Sequence, residues 1–223
     1  MFQPRAPAIL IELMEKIPFR ESGAVVSDSV EAEWRIALPD LSNDAISLRE
    51  LRPADASMML AMLSTDEVTR FISPPPTTID GFQQCIAWTH QERAAGRQFC
   101  YGVIPKGMEE AVGFFLVRQM EPDFATAEWR CALGSPYWGT GVFLEAARLV
   151  LEFSFGTVGI RRIEARTPIR NGRGTGALRK IGAVQEGVLR RSFQRNGEYL
   201  DQTLWAIVDS DWHAGSPTTE PVR

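Results

Sequence analysis

The chain holds 223 residues in 24.9 kDa, 44% of them apolar, with a formal charge of -4, enough to build one domain around a substantial core but not to name a partner by charge. Cys85, Cys100 and Cys131 lie far apart and only two histidines accompany them, which offers neither a disulfide scaffold nor a metal cluster and points to a reducing cytoplasm. No apolar run approaches the roughly 18 residues of a membrane span, and Glu12, Glu15 and Lys16 interrupt any secretory signal.

Residues 1–45 read as an N-terminal extension. Ala8 to Ile17 is a short apolar segment of helical character between Pro7 and Pro18, and Val30 to Leu38 alternates well enough for a marginal strand. This extension is placed to pack on the domain or on a second subunit, so a homodimer is one expected partner arrangement. The regular domain, 46–212, opens with the alternating strand Ile46 to Arg52, followed by a helix from Pro53 to about Leu63 whose methionines serve the core. Pro74, Pro75 and Pro76 break the chain, after which Thr77 or Thr78 caps a helix that Gly96 ends. Gln98 to Pro105, Ala111 to Gln119 and Phe124 to Leu133 are rich in aromatic and β-branched residues and read as strands. A strand over Arg161 to Thr167, a short helix over Thr175 to Lys180 and a hairpin turning at Arg195-Asn196-Gly197 complete the domain ahead of a tail, 213–223. Helices near the front, consecutive strands and one late helical crossover define an α/β fold with a mixed, mostly antiparallel central sheet flanked by helices.

The stretch Ser135 to Phe155 carries the first chemistry. Gly139 and Gly141 precede a segment whose apolar residues Phe143, Leu144, Ala147, Leu151 and Phe155 recur at helical steps. A helix start has amide protons without intrahelical partners and a dipole that favours an anion, so this loop is suited to a phosphate, although an ordinary tight turn has the same appearance. No Walker lysine and no full Gly-x-Gly-x-x-Gly spacing is present. Arg161 to Arg195 carries nine arginines and one lysine against two glutamates, a local balance of +8, which suits a phosphorylated ligand or simply a solvated face. A nucleic-acid groove lacks support on this segment, which has Phe193 and Tyr199 but no stacking module.

The order of these segments resembles the GCN5-related N-acetyltransferase superfamily, in particular its branch that acetylates ribosomal-protein N-termini and related amines. The resemblance spans about residues 46–212 and rests on Ile46 to Asp55, Asp66 to Phe71, Glu128 to Leu133, Tyr137-Trp138-Gly139-Thr140-Gly141, Ile160 to Arg166, Asn171 and Lys180 to Gly187. It implies the acyl-CoA N-acyltransferase fold, acetyl-CoA as cosubstrate bound by Trp138, Gly139, Thr140, Gly141, Val142, Phe143 and Asn171, and direct acetyl transfer to a primary amine of a protein N-terminus or a small molecule. Two departures stand out. Val142 and Phe143 replace the usual Tyr and small residue after the second glycine, and Gly174 and Gly176 replace the Ser and Arg of the Asn-x-x-Ser-x-Arg pattern. The second departure keeps open a catalytically weak acyl-CoA-binding regulatory protein, and the basic stretch keeps open an RNA-contacting protein.

An amine attacks only when unprotonated, so the site needs a proton route and a donor for charge on the thioester oxygen. Glu128 is the carboxylate that the resemblance places nearest the acyl group, as base or as anchor of the water that is base; pairing with an arginine is its structural alternative. Cys131 reads as core, Tyr199 as packing, and His90 and His213 as too isolated for a metal site or a triad. Asn171 suits a hydrogen bond to the pantetheine arm and equally a plain helix cap.

Overall fold

The computed structural model describes residues 33–195 and 197–215. Eight strands form one sheet: β1 Leu41–Ser42, β2 Ile46–Glu50, β3 Gln98–Pro105, β4 Gly113–Gln119, β5 Thr126–Leu133, β6 Arg162–Pro168, β7 Val184–Arg195 and β8 Glu198–Val208. Their spatial order is β1-β2-β3-β4-β5-β6-β8-β7, and every neighbouring pair is antiparallel except β5 with β6. The mixed, mostly antiparallel sheet flanked by helices is the architecture expected from the sequence.

On one face lie α2 Ala56–Leu63 and α4 Ile79–Ala94, with the short helix α3 Asp66–Thr69 between them. Thr78 caps α4, its Oγ1 accepting from the Gly81 N–H at 3.0 Å, and Met59, Leu63, Phe82 and Ile86 pack onto Cys100 and Ile104. The other face is covered by α5 Val142–Phe153, whose Ala146, Ala147, Val150 and Leu151 are fully buried. The period expected for this helix therefore matches its buried stripe. The short helix α6 Gly172–Lys180 and the terminal α7 Asp209–Gly215 complete the set.

One expectation needs correction, and one lies outside the described residues. Where Val30 to Leu38 was expected as a strand, Glu33–Ile36 forms the four-residue helix α1. Its Trp34 is 3% exposed and meets Phe124 edge-on, ring centroids 5.5 Å apart, while Leu41–Ser42 pairs with β2. Burial of the Trp34 ring in the core overrides weak alternation. Core packing thus reaches back into the segment read as an extension. At the other end, α7 closes the described residues at Gly215. The segment Ala8 to Ile17 lies outside the described residues.

Asp55 ties the entry of the domain together. Its carboxylate is 1% exposed, accepts from Arg49 Nη1 at 2.8 Å and Nη2 at 2.9 Å, and from the backbone N–H groups of Arg52 at 2.7 Å and Ala111 at 3.0 Å. Burial pushes its pKa up, but the Arg49 bonds and two backbone donors outweigh this and hold it below the usual carboxylate range. Removing one partner of a buried pair costs about 3 kcal/mol or more. Asp55→Asn should therefore lower unfolding free energy by about that amount at pH 7 in urea titrations. Because the folded pKa is depressed, the wild-type advantage is complete above the unfolded value of about 3.9 and fades as pH falls through the folded value. The gap between the two proteins should shrink in acid.

Candidate active site

The parallel pair creates the site. β5 and β6 are in register only from Thr126↔Arg162 to Glu128↔Glu164. Beyond Glu128, β5 follows β4 as far as Gly113↔Leu133, while β6 follows β8 to Pro168↔Gln202. A wedge opens between residues 129–133 and 165–168, and a cavity of about 380 Å³ reaches it. Trp129, Arg130, Cys131, Ala132, Ala165, Arg166, Thr167 and Pro168 line the walls.

At one mouth of the wedge stands the glycine loop. Gly139 has φ +75° and Gly141, which precedes the first residue of α5, has φ +93°, left-handed backbone that glycine adopts without strain. The Leu144 and Glu145 N–H groups already donate to Gly141 O, and the Trp138 N–H donates to Ser135 O at 3.1 Å. Among the described residues, the amides of Gly139, Thr140, Gly141, Val142 and Phe143 have no hydrogen-bond partner. The donor set at the helix start is thus five consecutive amides, with the Trp138 amide already committed. Trp138 contributes its ring instead: its Nε1 donates to Leu133 O at 2.8 Å, and the Arg173 guanidinium lies 3.8 Å above it. Thr140 Oγ1 donates to Tyr137 O at 2.8 Å and tightens the turn.

Phe143 packs on Phe115 and Trp129, with centroids 5.5 and 6.5 Å away, and lines the cavity. The bulk expected at this position therefore does form part of the wall. Asn171 caps α6, Oδ1 accepting from the Gly174 N–H at 3.0 Å, while the residue itself lines the cavity. The cap engages the carbonyl oxygen and leaves the Nδ2 donor for a ligand. Gly174 and Gly176 do not interrupt α6, which runs unbroken from Gly172 to Lys180.

Glu128 is 2% exposed at the apex of the wedge. Its Oε2 accepts from Arg130 at 2.9 and 3.1 Å and from Arg118 at 3.5 Å, and its Oε1 lies 3.7 Å from Arg166 Nε. The arginine pairing considered for Glu128 is thus present, while Oε1 remains able to accept a further hydrogen bond. The sequence reading singled out none of the three arginines. Their alternation with Glu128 on neighbouring strands would have marked them, but only once the register was known.

The cavity ends against Phe71 to Pro76, ahead of α4, and against Ser192 to Gln194. Those last residues reach it because β7 bulges between Leu189 and Phe193, a break held by Arg191 N–H donating to Asp201 Oδ1 at 2.7 Å. Cys85 and Cys131 also line the cavity, and burial pushes each thiol up to about 12. His90 Nε2 sits 2.8 Å from Leu51 O, and Tyr199 stands at the exposed start of β8, neither in the cavity lining. The side chain of His213 lies outside the described residues. Among the described residues no cluster could hold a metal ion, and no helix is long and apolar enough to cross a membrane.

Comparison with known proteins gives the chain a family. The Acetyltransferase (GNAT) domain family matches residues 46–184. The uncharacterized N-acetyltransferase YoaA of Bacillus subtilis (strain 168) is 27% identical over 176 residues, 76% of this chain and 97% of that protein. The ribosomal protein uS5-alanine N-acetyltransferase of Escherichia coli (strain K12) is 23% identical over 136 residues, 60% of this chain and 70% of that one. Mycobacterium smegmatis RimJ, solved in complex with CoA-disulfide, superimposes with a TM-score of 0.67 at 22% identity, covering 74% of this chain and 82% of that one. The chain belongs to the GNAT acetyltransferase family and is an N-acetyltransferase, of a class that depends on acetyl-CoA. Its relatives include ribosomal-protein acetyltransferases.

The two glycines of α6 are physically unlike. A Cβ on Gly174 would lie 2.7 Å from Asn171 Nδ2 and 2.9 Å from Thr167 Oγ1, whereas nothing stands within 4 Å of one on Gly176. Gly176→Ala should stabilise the protein by up to about 1 kcal/mol, the ordinary helical preference for alanine. Gly174→Ala should lose that gain and lower the melting temperature by disturbing the Asn171 cap. Thermal unfolding of the two variants side by side checks the contrast.

Proposed function

We propose that the enzyme transfers the acetyl group of acetyl-CoA directly to a primary amine of a protein N-terminus or a small molecule, with Glu128 promoting loss of the amine's proton. The single observation that supports this reading is the cavity lined by Phe143 at the start of α5, by Asn171, by both walls of the β5/β6 wedge and by Glu128. The five amides from Gly139 to Phe143 and the dipole of α5 would hold the pyrophosphate. Unpaired backbone groups along the wedge need hydrogen-bond partners, which the amide-bearing pantetheine arm supplies. Asn171 Nδ2 is placed to add one more.

The chemistry then balances simply. The neutral amine nitrogen forms a bond to the thioester carbonyl carbon, the carbon–sulfur bond breaks, and the sulfur leaves as thiolate and takes up a proton. The proton lost by the amine passes, directly or through one water, to Glu128 Oε1 and on to solvent. Oε2 is held by Arg130 and Arg118, which fixes the carboxylate while its other oxygen works.

Gly139→Asp adds a side chain at a left-handed position and a negative charge beside the pyrophosphate. Calorimetry should show acetyl-CoA affinity falling at least about tenfold, equivalent to 1.4 kcal/mol; unchanged affinity in a folded variant removes the loop from the binding site. Glu128→Gln should leave acetyl-CoA affinity nearly intact but lower kcat by about 10²- to 10⁴-fold at neutral pH. Part of that loss should be recovered as rising pH deprotonates the amine without help. A full rate across the pH range would make Glu128 a structural partner of its arginines.

A further inference from the structure

The inner cavity is more polar than a simple amine requires. Gln98 on β3 is 0% exposed, lines the cavity, and neither its Oε1 nor its Nε2 has a hydrogen-bond partner. A buried carboxamide left in that state is costly, and its atoms are the kind that a bound ligand satisfies. Arg166 on β6 lines the same cavity, and its buried Nε likewise makes no hydrogen bond. The nearest acidic atom given to it is Glu128 Oε1 at 3.7 Å, too long for a hydrogen bond.

We propose that the acceptor is a free α-amino acid, whose amine sits at Glu128 Oε1, whose carboxylate sits on Arg166, and whose side chain runs under α4 toward Gln98. This rests on the acetyl-transfer reading above and narrows its acceptor class. In an α-amino acid the nitrogen and the nearer carboxylate oxygen are about 3 Å apart by covalent geometry, a spacing close to that between Glu128 Oε1 and Arg166 Nε. A protein N-terminus has an amide where the amino acid has its carboxylate, so it leaves Arg166 without an anion.

The remaining cavity sets the side chain. In the sheet, Gln98 is registered with Arg118, Arg118 with Glu128, and Glu128 with Glu164, two residues before Arg166. Three strand spacings make this roughly 14 Å across. A ligand held at Arg166 meets Gln98 only with a side chain several bonds long, tipped by a group that donates or accepts a hydrogen bond. Phe82, Ile86 and Leu116 provide the apolar wall along its length. Burial, followed by the neighbouring Arg130 guanidinium, holds Arg118 below the usual arginine range, with Arg166 adding to the effect. An incoming carboxylate relieves that repulsion.

Calorimetric titration of the full chain, with and without CoA, would use N-acetyl-L-glutamine, N-acetyl-L-methionine and N-acetyl-L-leucine beside their C-terminal carboxamides. At least one acid should bind tenfold or more tightly than its carboxamide, and Arg166→Gln should abolish the difference. Gln98→Leu should raise the melting temperature of the unliganded protein while weakening the glutamine derivative several-fold relative to the leucine derivative. Equal binding of acids and carboxamides, or binding of none of them while CoA binds, overturns the amino-acid assignment and leaves acetyl transfer standing. Failure of CoA and acetyl-CoA to bind sinks acetyl transfer instead, and the titrations without CoA then still decide the carboxylate subsite. An unchanged acid preference in Arg166→Gln overturns its role, and where that variant does not fold, Arg166→Lys, which keeps the charge but not the fork, should retain a reduced preference.

Discussion

Backbone hydrogen bonding between two parallel strands governs the molecule, because it stops after three residue pairs. β4 and β8 each hold one wall of the opening in antiparallel register beyond that point, so the wedge is kept open by pairing elsewhere and does not close on itself. Peptide groups inside a sheet are satisfied almost without exception. Those facing the wedge would, under the proposed function, find their partners in an extended, amide-containing chain. Under the proposed function, anion binding at the glycine loop, acyl positioning in this opening and proton transfer at Glu128 would follow one another along it.

The ionic group at the apex has a different logic. Removing one charge from a buried cluster leaves the others uncompensated, at a cost larger than any gain the intact cluster gives to stability. Glu128 with Arg118, Arg130 and Arg166 is therefore poor material for stabilising a fold and good material for fixing orientation. Bonds from Arg130 and Arg118 anchor Oε2 of the carboxylate, and its Oε1 lies 3.7 Å from Arg166 Nε. Under the proposed function, preorganisation of this sort would place a reacting amine without reorganisation at the moment of transfer.

Local signals made most elements legible. The glycine loop, the Thr78 cap, the three aromatic strands and the Arg195 to Gly197 hairpin each announce themselves within a few residues, since turn chemistry and period depend on neighbours in sequence. Glu33–Ile36 was missed because four residues are too few to display a helical period. Gln98, Arg118, Arg130 and Arg166 escaped for another reason. β3 is buried at every position, so alternation cannot mark Gln98 as facing a cavity, and Arg118 and Arg166 are 48 residues apart in sequence. Only the strand register brings them to one face. Asn171 was legible in part: its cap was foreseen, whereas its exposure to the cavity depends on where α6 docks.

The thiols argue for the same direct chemistry from the opposite side. Cys85 and Cys131 stand in the cavity wall, where an acyl-enzyme route would want a nucleophile. With each thiol pushed up to about 12 by burial, roughly one molecule in 10⁵ carries either thiolate at pH 7, and the thiolate is the reacting form. No histidine lies among the cavity-lining residues to act as base for them. An acceptor amine held against Glu128, as proposed, would need only to lose one proton of an ordinary ammonium group, a smaller deficit than that of a buried thiol. Under the proposed function the amine itself would be the nucleophile, whereas a covalent detour through cysteine would start from a thiol that burial holds protonated.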